Sequence, residues 1–102
     1  MVKEPMSHPE LSVVVPVHNE QDNLRPLIEE IVLALKNVLP FEIVYVDDGS
    51  KDGTLSALEA LKSSFPELRV LRHLNCCGQS TAVRTGVKSA RGRLIATLDG
   101  DG

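Results

Sequence analysis

Apolar residues along this chain fall into two kinds of run that take turns. Leu11-Ser12-Val13-Val14-Val15-Pro16-Val17 is short, β-branched and almost uninterrupted, the pattern of a strand buried on both faces of a parallel sheet. Pro16 has no N–H to give a ladder, so the strand is predicted to end about there. Leu24, Leu27, Ile28, Ile31 and Leu35 then recur at helical spacing, with Asp22 or Asn23 as N-cap. Pro26 lies in or near the first turn, where a missing N–H costs least, and Pro40 closes the segment. Glu42 to Asp47 reads as a second strand, and Asp48 to Gly53 as a loop. Leu55, Leu58, Leu61 and Lys62 mark a second helix, capped by Asp52 or Thr54 and stopped before Pro66. Leu68 to Arg72 is a third strand. Ala82, Val83, Gly86, Val87 and Ala90 place a third helix over Gln79 to Ala90, with small residues toward the sheet. Leu94 to Leu98 is the fourth strand.

The order β-α-β-α-β-α-β, with short connections, predicts right-handed crossovers and a Rossmann-like α/β parallel sheet over residues 11–102. Residues 1–10 read as a flexible N-terminal tail. A chain of 102 residues, 42% hydrophobic, fits one small domain with a packed core. Its only aromatics are Phe41, Phe65 and Tyr45, so that core is built from Val, Leu, Ile and Ala. The net charge is -3 and there is no basic stripe; Arg84, Lys88, Arg91 and Arg93 read as a solvated helix face. That argues against nucleic acid as a partner. Cys76 and Cys77 are adjacent, unlike the spaced cysteines of a disulfide-stabilised secreted domain, and are expected to be partly buried thiols in a reducing compartment. No apolar run approaches the ~20 residues of a membrane span, and the first ten residues contain no signal-peptide core. The chain as it stands is therefore expected to be soluble and cytoplasmic.

Ligands of open parallel sheets bind beyond the carboxyl ends of the strands, and polar residues gather there in this sequence. The first strand runs into Pro16-Val17-His18-Asn19-Glu20, the second into Asp47-Asp48-Gly49-Ser50, and the fourth into Asp99-Gly100-Asp101-Gly102. Neither G-x-G-x-x-G nor a Walker A loop is present, so the usual glycine-rich phosphate cradles are missing. Two carboxylates one residue apart offer another route, because they can hold a hard divalent cation that neutralises a diphosphate. A glycine-rich turn of surface acids is the plainer alternative for Asp99 and Asp101. Asp47 reads as a strand-to-loop cap and Asp48 as the ligand. His18 fits a packing or loop role better than a catalytic one, and His8 and His73 carry no signal. Receiver-type and haloacid-type phosphoryl transfer place their acids on the first strand, which this chain does not.

The strings VVVPVHNE, IVYVDDGSKDGT, GQSTAVRTGVKSARG and LIATLDGDG, in this order and spacing, resemble family-two glycosyltransferases of the GT-A type. The resemblance covers about residues 11 to 102. It is strongest to the branch that moves sugars onto polyprenyl phosphates, including dolichol-phosphate mannosyltransferase-like enzymes. It implies that Pro16, His18 and Glu20 line a nucleoside pocket and that Asp48 accepts an N–H from uracil or guanine. It also implies that Asp99 and Asp101 form the D-x-D that binds Mg2+ or Mn2+ across the diphosphate of a UDP- or GDP-sugar. The acceptor would be a lipid phosphate, with the full-length protein at the cytoplasmic face of a membrane. Two departures stand out: His18 occupies a position where Tyr is common, and Asn75-Cys76-Cys77-Gly78 is one residue wider than the usual N-x-G. The catalytic base is expected beyond Gly102, so this chain alone is expected to be inactive. The alternative is a non-catalytic nucleotide-binding or oligomerisation module, since a half-sheet leaves an edge through which copies would pair.

Overall fold

Four strands and three helices alternate in the computed structural model, which describes residues 8–100. They are β1 (Leu11–Val17), α1 (Leu24–Leu35), β2 (Phe41–Asp48), α2 (Thr54–Leu61), β3 (Leu68–His73), α3 (Gln79–Ser89) and β4 (Leu94–Thr97). All pairings are parallel, in the order β3-β2-β1-β4. The expected Rossmann-like α/β sheet is what the chain forms. The two central strands are buried almost throughout, which is why their sequences run apolar without a polar face.

The period of two divides these strands between two cores. Val13, Val15, Val17, Ile43 and Tyr45 pack with Leu24, Ile28 and Ile31 of α1 and Leu58 of α2. Val14, Val44 and Val46 form a separate cluster with Ala82 of α3. The chain steps from β1 to β2 to β3 with its helices on one face. It then returns over the other face through α3 to β4, as right-handed crossovers require. Gly86 permits the close approach of α3: a Cβ there would lie 2.4 Å from Val14 Cγ1 and 3.1 Å from Val46 Cγ2.

Several boundaries differ from the expectation, each for a local reason. Pro16 does not end β1, which continues to Val17 in register with Asp47. Glu10 and Val14 accept N–H groups from Leu94 and Leu98, so by the same alternation Pro16 faces the β4 side. There β4 has already ended at Thr97, and no donor is missed. β2 extends to Asp48 and β3 to His73, which pair with each other. Asn23 occupies the N-cap of α1 without a side-chain cap; its amide donates to Glu20 Oε1 at 2.8 Å instead. The N-cap of α2 is Gly53 rather than Asp52 or Thr54. Asp52 still serves the helix start from one residue upstream, accepting the Thr54 N–H at 2.9 Å and its hydroxyl at 2.5 Å. Before β1, Pro9 is buried and the Glu10 N–H donates to Pro40 O at 2.9 Å. Arg84 and Lys88 are solvated as expected. Among the described residues no helix is long and apolar enough to cross a membrane.

The end of the sheet away from the strand carboxyl termini is fastened by a buried carboxylate. Glu42 accepts from Ser12 Oγ at 2.6 Å, the Arg91 N–H at 2.7 Å and Arg69 Nη1 at 2.8 Å. Arg69 also donates to Ser89 O and Oγ, at 3.0 and 2.7 Å, tying the exit of α3 to β2 and β3. Burial pushes the Glu42 carboxyl up, but the hydrogen bonds from Ser12, Arg91 and Arg69 outweigh it and hold the group below its ordinary range. Glu42→Ala would leave Arg69 without its counter-charge and two donors, the Ser12 hydroxyl and the Arg91 N–H, without this acceptor. Because Arg69 is partly exposed, the expected loss is about 2–4 kcal/mol, below or within the range for a broken buried pair. Urea unfolding of the variant beside the parent chain measures it, and a change under about 0.5 kcal/mol, the size of an ordinary surface substitution, would show that Glu42 is not a fastening point.

Candidate nucleotide and metal site

A cleft of about 280 Å³ opens at the carboxyl ends of the strands, where β1 stands between partners whose connections run opposite ways. Its lining is Pro16, Val17, His18, Glu20, Asp48, Cys76, Gly78, Gln79 and Gly100. All four residues expected to line a nucleoside pocket, Pro16, His18, Glu20 and Asp48, are therefore on one surface. Asp99 lies at its edge, next to Gly100, and its Oδ1 accepts from Gln79 Nε2 at 3.0 Å. Asp101 lies outside the described residues.

The exit of β1 is clamped to the exit of β2. Asn19 adopts a left-handed conformation, φ 55°, which suits its short polar side chain. From there its N–H donates to Ser50 Oγ and its Oδ1 accepts the Lys51 N–H, both at 2.8 Å. The Glu20 N–H donates to the buried Thr54 hydroxyl at 2.9 Å, and the Gly53 N–H to Gln21 Oε1 at 2.5 Å. His18 Nδ1 donates to the Asp48 carbonyl at 2.8 Å, while Nε2 lies 3.2 Å from Asn19 Nδ2 as acceptor. Both ring nitrogens are thus occupied, which fixes the plane of the imidazole and fits a positioning or stacking role rather than proton transfer. Asp47 is the turn cap expected of it, accepting the Ser50 N–H at 3.3 Å.

Asp48 is the most heavily bonded residue of the cleft, though only 4% exposed. Its Oδ1 accepts from His73 Nδ1 at 2.8 Å and the Cys77 N–H at 2.9 Å. Its Oδ2 accepts the Gly78 N–H at 2.9 Å and, more weakly, the Cys76 thiol at 3.5 Å. Burial pushes the pKa of such a group up, but these four donors together hold it below the usual aspartate range. His73, which carries no signal in the sequence, completes the arrangement: its Nε2 lies 2.8 Å from Thr85 Oγ1 of α3. The signal that could have found it is positional, since His73 ends β3 directly across the ladder from Asp48. Cys76 and Cys77 are exposed rather than partly buried. The widened Asn75–Gly78 loop turns two backbone N–H groups onto Asp48 and leaves both cysteines exposed.

The oxygen-only side chain of Asp99, exposed and oriented by Gln79, is of the kind that suits a hard cation such as Mg2+ or Mn2+. Asp48 and Glu42 both contribute to the acid stability of the chain. Both are held below their ordinary values of about 3.9 and 4.3, so the stabilisation they contribute is complete above that range. It is lost as pH falls through their native values. Thermal melts from pH 7 to pH 2 are expected to fall steeply below about pH 4, and Asp48→Asn to fall less steeply from a lower starting point. An unchanged slope in that variant would remove Asp48 from this role.

Comparison with known proteins adds a family and a fold. The family model for glycosyl transferase family 2 matches residues 12–102. Dodecaprenyl-phosphate galacturonate synthase of Rhizobium johnstonii is 40% identical over 100 residues, covering 96% of this chain and 30% of that protein. Dolichol-phosphate mannosyltransferase of Pyrococcus furiosus is 40% identical over 91 residues, covering 89% of this chain and 25% of that protein. Among solved structures, mannosyltransferase PcManGT from Pyrobaculum calidifontis, in complex with GDP-Man and Mn2+, superposes with a TM-score of 0.79 at 26% identity. That match covers 98% of this chain and 30% of that one. The chain thus spans less than a third of the length of these relatives.

Proposed function

Since this chain belongs to glycosyl transferase family 2, we propose that residues 11–102 are the part of a sugar transferase that binds a nucleotide-diphosphate sugar. In the larger protein the sugar would pass to a polyprenyl phosphate at the cytoplasmic face of a membrane. The observation that carries this reading is the convergence of Pro16, His18, Glu20 and Asp48 on one cleft, with Asp99 at its edge. The names of the two polyprenyl- and dolichol-phosphate relatives support the acceptor class. The GDP-Man and Mn2+ bound by the mannosyltransferase support the donor and the ion.

Each residue has a definite part in this reading. His18, its plane fixed by Asp48 and Asn19, offers a ring face to the base. Pro16 and Val17 form the apolar floor, and Glu20 contributes a carboxylate at the rim. Asp48 accepts a base N–H in place of the Cys76 thiol, the weakest of its four donors. Gln79 orients Asp99, which with Asp101 would hold Mg2+ or Mn2+. That ion supplies charge neutralisation for the diphosphate leaving group. No base for the acceptor is assigned within residues 8–100, and this portion alone is expected to bind donor without turning it over.

Calorimetry of GDP-mannose and a UDP-sugar, with and without Mn2+, tests the donor site. Binding is expected to need Mn2+ and to weaken at least tenfold, about 1.4 kcal/mol, in Asp99→Ala and in Asp101→Ala. Metal-independent binding, or none, would overturn the assignment.

We also propose that this chain pairs with itself through the open edge of β4, where Leu94, Ile95 and Leu98 are 53, 43 and 40% exposed. Light scattering is expected to give a dimer that Ile95→Lys converts to monomer; a monomeric parent chain would refute it.

A further inference from the structure

One cluster, which shares Asp48 with the cleft, stands apart in its chemistry. A carboxylate oxygen of Asp48, the Nδ1 of His73 and the Sγ of Cys77 lie within 4.8 Å of one another. They come from the end of β2, the end of β3 and the loop before α3. We propose that they form a second cation site, for a thiophilic divalent ion of the Zn2+ class. This inference does not rest on the donor-binding reading.

Tetrahedral zinc holds its ligands at about 2.0–2.3 Å, which sets them about 3.3–3.8 Å apart. His73 Nδ1 and Asp48 Oδ1, 2.8 Å apart, need to part by about half an ångström, and the Cys77 Sγ to close by about an ångström, to meet that spacing. Cys77 can make most of the movement, because its thiol is exposed and tied only to Asn75 O at 3.3 Å. His73 needs only to change tautomer. With its proton on Nε2, it donates to Thr85 Oγ1, 2.8 Å away, and turns the Nδ1 lone pair toward Asp48 and the ion. A hydroxyl on the outer nitrogen is the usual means of orienting a ligating imidazole. The Cys77 and Gly78 N–H groups keep Asp48 in place during the exchange. Cys76 Sγ, 3.5 Å from Asp48 Oδ2, is near enough to supply a fourth ligand.

The set of thiol, imidazole and carboxylate is soft, whereas Asp99 and Asp101 offer oxygen alone. The two sites therefore sort ions by chemistry: zinc to this one, magnesium or manganese to the other. Binding replaces the S–H bond of Cys77 by a sulfur–metal bond and releases that proton to solvent.

Titration of the reduced 102-residue chain with Zn2+ against a chelator of known affinity is the test. One site per chain is expected, unaffected by a large excess of Mg2+, with affinity reduced at least tenfold in Cys77→Ser and in His73→Ala. Cobalt substitution reads the ligand directly, through a near-ultraviolet thiolate-to-metal band that Cys77→Ser removes. Because Cys77 is exposed, its variant is expected to keep the parent's circular dichroism, so lost binding there is not lost folding. Zinc binding unchanged in Cys77→Ser, no zinc binding by the parent chain, or cobalt binding without the thiolate band would each overturn the proposal.

Discussion

A carboxylate taken out of water must be surrounded by donors, and Asp48 meets that demand by recruiting them from separate parts of the chain. One comes from the end of β3 and two from the backbone just before α3. An unmet charge at this depth would cost more than most side-chain contacts contribute, so the widened loop from Asn75 to Gly78 has little freedom over where it lies. The wall of the cleft formed by Cys76, Gly78 and Gln79 follows from that restriction. The site is shaped by an interaction within the protein itself.

A second buried carboxylate does the same at the other end of β2. Glu42 and Asp48 are six residues apart on one strand and share its α3-facing side, a span of about 20 Å. The 11-residue α3 is about 16 Å long and lies between them. Its entry is held through the Gly78 N–H on Asp48, and its exit through Ser89, Arg69 and Arg91 around Glu42. Between the two, Ala82 and Gly86 let the helix press on Val14, Val44 and Val46 with almost no side-chain volume. A helix with so small an apolar face needs fixing at its ends. α1 and α2 bury Leu24, Ile28, Ile31 and Leu58 and rely on packing instead.

Much of this could be read from the sequence. The uninterrupted valines of β1 and β2 announced strands buried on both faces, and the small residues of α3 announced a close helix. The family strings brought Pro16, His18, Glu20 and Asp48 to one place. What could not be read were partners set by register. Glu42 looks like the polar start of a strand until Ser12 and Arg69 are seen beside it. His73 is an isolated histidine until β3 is aligned with β2. Helix starts misled for a local reason: a side chain that caps isolated helices was drawn into a bond within its own loop, as Asn23 was to Glu20. Pro16 misled because its cost depends on whether a neighbour strand is present, and β4 stops before reaching it.

Gly100 combines two demands in one residue. A Cβ at this position would fall 2.3 Å from Val17 Cγ1 and 2.5 Å from the Pro16 carbonyl, so the backbone is pressed flat against the end of β1. The acids at 99 and 101 are thus separated by a residue whose identity is dictated by the strand beneath it, independently of any ion. An alanine at 100 would change no charge, yet it would lift the chain off β1 and displace the neighbouring Asp99 carboxylate. Substitutions that look inert by chemistry can therefore act on this site through sterics alone.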